Sequence, residues 1–483
     1  LTHPGSNLIE WYTKMSEARE PWARIRLEET LARGLQDGEV LGVPGRTRPI
    51  DWTESSALYA YENPFCPKIW HQGLTLETMR RAHPDGLAEL MSHRAEQTGC
   101  VPLSVSLLGR DLPGVLVPHH LAHAASVYFT GTSDHAAILT VDGTFDSGVA
   151  GMGMGLYARG RGNKISAFLP NFLTSANFFF RVAAALRLTG ELPGKLMGLS
   201  SYGERRFFRP ELLENANSGY TQEILPEWQR FGKFNKTLRS AAYFLHRCLE
   251  TAAEEKLPIN KWHLALAEIG DISADRYAVD IAASAQAVFE GQMLAGVETL
   301  RSLLAKVGEH TDTLCLAGGG ALNCVSNARV FRETPYRTVQ VPPWVADQGL
   351  SIGSALFVHH HLLDNPFTPK SELSSIDARL GPEPDAGAVR RVAEAARARG
   401  YSVVESADAA GLVADDILND KVVAWFDGRS EIGPRALGGR SILANPAKAE
   451  NWGRVNRIKN RESWRPFAPA MLAETAKHMI DGA

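Results

Sequence analysis

The chain has 483 residues, of which 44% are hydrophobic and 22% charged, with a formal net charge of −3. That length accommodates about two to four domains and more than one large core. The near-neutral balance excludes a global attraction to nucleic acid or to an anionic membrane, so any anion-binding patch must be local. Five cysteines (Cys66, Cys100, Cys248, Cys315 and Cys324) form no CxxC pair, which argues against a zinc ribbon or a disulfide framework and fits a reducing cytoplasm. No apolar run approaches the roughly 18 to 20 residues of a membrane span, and no signal peptide opens the chain. The opening LTHPGSN lacks a methionine, which reads as a cut from something longer.

Residues 1–110 read as helical and loop segments rich in Trp, Arg and Glu, with WARIRLEETLARGL an amphipathic helix. VPHHLAHAAS, residues 117–126, then places three imidazoles within five positions. His119 and His123 stand one helical turn apart, the spacing that lets two imidazoles hold a divalent ion from one side. Such a pair is also compatible with a structural or solvated role. AAILTVDG is a buried-strand pattern ending in a turn, and GVAGMGMGLYARG follows as the second strand of a hairpin. In GKLMGLSSYG, Lys195 is either a contact to a phosphate oxygen or a surface lysine beside a turn.

Residues 277–308 keep helical periodicity throughout and lead into TLCLAGGGALNCVSNARVF, a strand, a glycine turn and a helix. Gly318, Gly319 and Gly320 permit close backbone approach to a ligand, although many tight turns carry such a triplet. TVQVPPWVADQGLSIGSALFVHH repeats the layout as a short strand, an acidic loop and a small-residue helix. Asp142 in TVDG and Asp347 in WVADQG both fall where a strand gives way to a loop, a common place for functional groups in α/β proteins and also for ordinary turn residues. They are the candidate carboxylate partners of the histidine pair.

A boundary is expected near residues 365–387, rich in Pro, Ser and Asp. Beyond it AVRRVAEAARARG (helix), YSVVESA (strand), AAGLVADDIL (helix) and VVAWFDG (strand) suggest a second, smaller α/β domain. Between 429 and 465 stand Arg429, Arg435, Arg440, Lys448, Arg454, Arg457, Lys459, Arg461 and Arg465, opposed by Glu431, Glu450 and Glu462. The run reads either as a solvated face or as an anion site, since guanidinium groups suit bidentate capture of phosphate or carboxylate. Trp464 and Phe467 read as core.

VPHHLAHAA, TVDG, GKLMGLSSYG, LCLAGGGALNCVSN, WVADQGLSIGSA, GRSEIGPRALGGRSILANP and IKNRESWRPFAPAML occur in that order. Together, over residues 115–480, they resemble the O-carbamoyltransferase family of nodulation and antibiotic-tailoring enzymes. The resemblance implies an α/β fold with an ASKHA-like domain (actin, sugar kinase and Hsp70 class) over 1–370, and a smaller, partial YrdC-like domain over 376–483. It implies that His119, His123, Asp142 and Asp347 hold Fe(II) or a similar divalent metal, with His120 outside the ligand set, and that magnesium is a further candidate ion. It places the adenylate against Gly318, Gly319, Gly320 and Asn323, and phosphates against Arg429, Arg435, Arg440, Ser441, Lys459, Arg461 and Arg465. His119, His123, Asp142 and Lys195 become the expected catalytic set.

The implied chemistry is ATP-dependent. Carbamoyl phosphate and ATP give carbamoyl-adenylate in the second domain, and the first domain passes the carbamoyl group to a hydroxyl of a small-molecule natural product. No nucleic-acid or membrane partner is expected, and a homodimer stays open. The family's N-terminal His segment is not found in residues 1–110, and the family continues beyond RPFAP, so the real ends are expected to lie outside this sequence. Three other readings stand beside it: a tRNA threonylcarbamoyl-type transferase, a hydrogenase-maturation enzyme disfavoured by the lack of CxxC, and a degenerate, non-catalytic binding subunit.

Overall fold

The computed structural model describes residues 41–45, 68–70, 98–107, 110–143, 146–148, 151–171, 173–188, 192–210, 213, 236–256, 271–371, 377–381 and 384–479. The helix expected in residues 22–35 lies outside the described residues. The chain runs β1 (Leu41–Gly45), β2 (Lys68–Trp70), β3 (Val101–Leu107), β4 (Arg110–Pro118), α1 (His119–Tyr128), β5 (His135–Thr140), β6 (Asp146–Gly148), β7 (Gly151–Gly153), β8 (Gly155–Arg161) and β9 (Lys164–Asn171). It continues with α2 (Ser175–Ala185), α3 (Leu192–Leu199), α4 (Lys236–Glu254), α5 (Arg276–Lys306), β10 (Thr313–Ala317), α6 (Cys324–Glu333), β11 (Thr338–Gln340), α7 (Leu350–Leu356) and a π-helix at Phe357–Leu362. The last elements are α8 (Ala386–Ala398), α9 (Ala409–Leu418), β12 (Val423–Phe426), β13 (Arg440–Leu443), α10 (Glu450–Ile458) and α11 (Ala473–Met479).

The class is α/β with mixed sheets. One sheet has the order β1-β4-β3-β2, and the second β11-β10-β5-β8-β9. In the second, β10 pairs parallel with both β5 and β11, and β8 pairs antiparallel with β5 and β9. Its central strands bury both faces. On β5, Ala137 and Leu139 enter one core with Phe178, Phe244 and Ile281, while Ala136 and Ile138 enter another with Leu121, Leu350 and Phe357. β10 divides the same way, Leu314 and Leu316 against Cys315 and Ala317. Strand side chains alternate between faces, so a strand covered on both sides reads as a near-continuous apolar run, as AAIL and LCLA do.

Because β5 and β10 run parallel, their C-terminal ends share one edge of the sheet. There Val141 N donates to Ala317 O at 2.8 Å, Gly320 N to Val141 O at 2.9 Å, and Gly318 N to Val345 O at 2.8 Å. Three loops distant in sequence are thereby tied at one point. Gly318 adopts φ +87°, and a Cβ there would overlap the Val141 carbonyl. Helix α1 is buried along its whole length. α7 packs on it closely enough that a Cβ on Gly353 would fall on the Ala122 carbonyl.

The C-terminal part contains α8 to α11 and the antiparallel pair β12-β13. YSVVESA is not a strand. Tyr401 and Val404 are 67% and 74% exposed, and without a partner strand among the described residues the β-favouring side chains have nothing to pack against. Trp464, 4% exposed, belongs to the core of the large sheet. Phe467 is not core: it is 41% exposed, with the Arg461 guanidinium 4.2 Å from its ring centre.

Candidate metal centre and the cavity beside it

β4 ends at Pro118 and α1 begins at the next residue, so the histidines enter on the first turn of a buried helix. His119 and His123 are both fully buried, their ring centroids 4.7 Å apart and nearly perpendicular. Their Nε2 atoms lie 3.2 Å apart. Asp142, at the end of β5, brings Oδ2 to 2.9 Å from His119 Nε2. Asp347, in the loop before α7, brings Oδ1 to 3.3 Å from His123 Nε2 and 3.7 Å from His119 Nε2. The ligand atoms of the four residues all lie within 4.8 Å of one another.

The four residues fit a divalent cation. Donors at about 2.0 to 2.2 Å from one ion stand roughly 3 to 4 Å from each other, and mixed imidazole and carboxylate donors suit borderline metals. Two Nε2 atoms and two carboxylate oxygens facing one point are satisfied together by a shared positive charge. Burial pushes the Asp142 carboxyl upward, but the His119 hydrogen bond and the charges of His119, His123 and His120 outweigh it, leaving the group well below the usual carboxylate range. Asp347 is lowered against the same burial by its bond with His123 and the two ring charges, although the neighbouring Asp142 opposes the shift. His120 is buried too and packs edge-on against His119 at 5.2 Å, so its place is beside the cluster rather than in solvent.

The glycine turn bears on the same centre. Gly319 N donates to Asp142 Oδ1 at 3.0 Å, fixing the carboxylate while its other oxygen faces His119. Asp142 also borders a cavity of about 480 Å³, which is lined by Gly319, Gly320, Asn323, Phe289 and residues of α2 and α3. Apolar side chains Phe179, Phe180, Met197 and Leu322 make much of its wall, and Arg435 reaches it from the C-terminal part. SANFFFRVAAALRL thus serves two ends: Phe178 and Phe179 are 2% exposed, while Phe180 is 41% exposed at the cavity wall.

The remaining basic residues are dispersed. Lys195 is 8% exposed and ion-paired with Glu462, which also faces Arg465 at 3.7 Å. It is therefore neither a surface lysine nor part of the cavity lining. Arg440 stacks on Phe426 at 3.4 Å and donates to the carbonyls of Asp427, Gly428 and Gly439. Arg461 donates to Asn456 Oδ1 and to the Pro466 carbonyl. Ser441 Oγ accepts from Gly438 N. Arg429 and Lys459 are exposed.

Sequence reasoning placed SANFFFRVAAALRL, with Asn177 and Arg181, as a candidate pocket lining but missed Gln348 in the cavity wall, and no pattern in the chain marks it. It also missed Gln286 and Glu290. A glutamate inside AVFEGQM, on the apolar side of a long helix, was a signal that could have been used, since a buried carboxylate needs partners.

The family model described as Carbamoyltransferase N-terminus matches residues 47–356, and the one described as Carbamoyltransferase C-terminus matches 414–483. The chain is 32% identical over 373 residues to the uncharacterized protein sll1178 of Synechocystis, covering 76% of this chain and 56% of that protein. It is 30% identical over 366 residues to Nodulation protein NolO of Bradyrhizobium diazoefficiens, covering 75% and 60% respectively. It is also 32% identical over 177 residues to 3'-hydroxymethylcephem-O-carbamoyltransferase of Streptomyces clavuligerus, covering 37% and 31%. The chain thus spans less than two thirds of the length of each of these relatives. Among the described residues no helix is long and apolar enough to cross a membrane.

Proposed function

The chain belongs to the carbamoyltransferase family, and from that premise we propose that it carries out an ATP-dependent transfer of a carbamoyl group, from carbamoyl phosphate by way of carbamoyl-adenylate, to a hydroxyl of a small-molecule acceptor. The observation that carries this reading is the convergence of His119, His123, Asp142 and Asp347 on one point, with Asp142 bordering a cavity that the glycine turn also lines. A relative named for O-carbamoyl transfer to a hydroxymethylcephem supports the acceptor class.

In this reading the large α/β part is ASKHA-like and the part beyond residue 376 is YrdC-like, and His119, His123, Asp142 and Asp347 hold Fe(II) or a similar ion. When bound, such an ion supplies Lewis-acid polarisation of a carbonyl oxygen. The chain's own residues do the rest. Gly319 N holds Asp142 in its orientation. Gly319 and Gly320 pack where a Cβ would press on Asp142 or Val141, and they leave bare backbone in the cavity wall for a nucleotide. Phe179, Phe289 and Met197 keep the cavity apolar and limit water, which would hydrolyse an activated carbamoyl group. Arg435 supplies positive charge at the wall for the adenylate phosphate.

The test is incubation of the protein with ATP, carbamoyl phosphate, ferrous iron and a panel of polyol antibiotics, followed by mass spectrometry. A carbamoylated product together with AMP is expected. Consumption of neither co-substrate by a chain carrying the family's full length would overturn the reading.

A further inference from the structure

Asn323 lines the cavity and caps α6, its Oδ1 accepting from Ser326 N at 3.1 Å. The same oxygen accepts from Gln286 Nε2 at 3.0 Å, and Asn323 Nδ2 donates to Gln286 Oε1 at 3.0 Å. A side-chain amide has two acceptor lone pairs and two N–H donors. Both lone pairs of Asn323 are thus occupied, and one N–H is left over. Gln286 Nε2 also donates to Glu290 Oε1 at 3.0 Å. Glu290 is fully buried, and its other oxygen accepts from Arg205 Nη2 at 3.0 Å and Arg329 Nη1 at 2.9 Å.

These contacts fix a direction. A carboxylate held between two guanidiniums only accepts, so Gln286 must turn its amino group toward Glu290. That choice sets which end of Gln286 meets which end of Asn323. The backbone N–H of Ser326 demands the same orientation of Asn323 independently. A reversed Asn323 would face an amino group to an N–H, and a reversed Gln286 would face an oxygen to a carboxylate.

We propose that Gln286 and Glu290 are positioning residues which, acting through Asn323, present a single N–H donor to the cavity, so that the cavity selects a nucleotide bearing a hydrogen-bond acceptor at that point. This deepens the nucleotide reading given above and rests on it. Selection by such a donor is strong, because a ligand without the acceptor leaves a buried N–H unpaired.

The experiment measures AMP binding calorimetrically to the full chain and to Asn323→Asp, Gln286→Leu and Glu290→Gln. Aspartate still caps α6 but offers no donor to the cavity or to Gln286 Oε1, so Asn323→Asp is expected to lower the melting temperature somewhat and to lose AMP affinity by about tenfold or more, the analogue series separating the two effects. Gln286→Leu is expected to lose about three- to tenfold. Glu290→Gln, which preserves shape, is expected to weaken binding in the same direction, and it stands in if Gln286→Leu does not fold. Deaza- and deoxy-AMP analogues, each lacking one acceptor, provide the readout that a structural role would not move. One of them is expected to bind wild type and Asn323→Asp equally. An Asn323→Asp protein that binds AMP like wild type, or an equal penalty for every analogue, would overturn the relay alone. Failure of the wild type to bind AMP removes the nucleotide reading and this inference with it.

Discussion

His119 Nε2 and Asp142 Oδ2 stand 2.9 Å apart although 23 positions separate the two residues in the chain. One comes from the first turn of α1 and the other from the loop after β5, and His123 and Asp347 complete the cluster around them. Replacement of His119 by Ala removes one of the four proposed ligands. The expected result is loss of stoichiometric divalent metal by elemental analysis, with affinity down by more than about 100-fold, since even outer partners of metal ligands are worth about 10- to 100-fold. Carbamoyl transfer is expected to disappear while AMP formation survives. Retention of both metal and transfer would refute the cluster assignment.

Gly318→Ala tests the crossing of the three loops. The backbone there sits at φ +87° and ψ 168°, a region essentially reserved for glycine that costs another residue about 1 to 3 kcal/mol, and the new methyl group would meet the Val141 carbonyl. Urea unfolding is expected to show a loss of about 2 to 4 kcal/mol, strain and overlap together. A change below about 0.5 kcal/mol would mean that the turn has room to relax.

Trp464→Ala tests the join between the C-terminal part and the large core. The indole is buried there, and the flanking Tyr202 Oη donates to the Trp464 carbonyl at 3.0 Å. Truncation of a buried Trp costs about 3 to 5 kcal/mol. Calorimetry is expected to resolve two unfolding transitions in the variant. One transition at an unchanged temperature would contradict the packing.

The Lys195–Glu462 pair joins the same two parts. Glu462→Gln leaves a nearly buried ammonium without its charge partner, and about 1 to 3 kcal/mol should be lost, below the range for a fully buried pair because Glu462 is partly exposed. Adding Lys195→Met should recover part of that loss in a double-mutant cycle. Strict additivity would show that the two groups do not interact in solution.

Glu431 gives the acid dependence. Burial raises its pKa, but Oε1 accepts from the backbone N–H groups of Leu437, Gly439 and Arg440, and the carboxyl falls from 4.5 to about 2. The folded value is depressed, so the contribution to stability is fully present above the unfolded value and is lost as pH falls through the folded one. Between about pH 5 and about pH 2 the wild type should lose more stability than Glu431→Gln, as followed by urea midpoints. Parallel pH profiles for the two proteins would exclude this role.

Much of the site could be read from the chain. The i, i+4 histidines, two aspartates at strand ends and a glycine triplet after an apolar run each announce local geometry, because helical and strand periods are set by the backbone and by neighbours a few residues away. The helix expected over 277–308 forms at Arg276–Lys306 for the same reason, and the strand-turn-helix expected from 313 forms as β10, the glycine turn and α6. YSVVESA failed because a strand needs a partner, and no local pattern guarantees one.

The sequence by itself determined which segments carry donors, turns and apolar faces. Tertiary structure alone decided that Gly319 N would orient Asp142, that Glu462 would take Lys195, and that Gln286, Glu290 and Asn323 would form one relay. Those contacts depend on the parallel pairing of β5 with β10 and on which helix covers which face. They are set by long-range packing, whose energy is distributed over two whole cores rather than encoded at any one position.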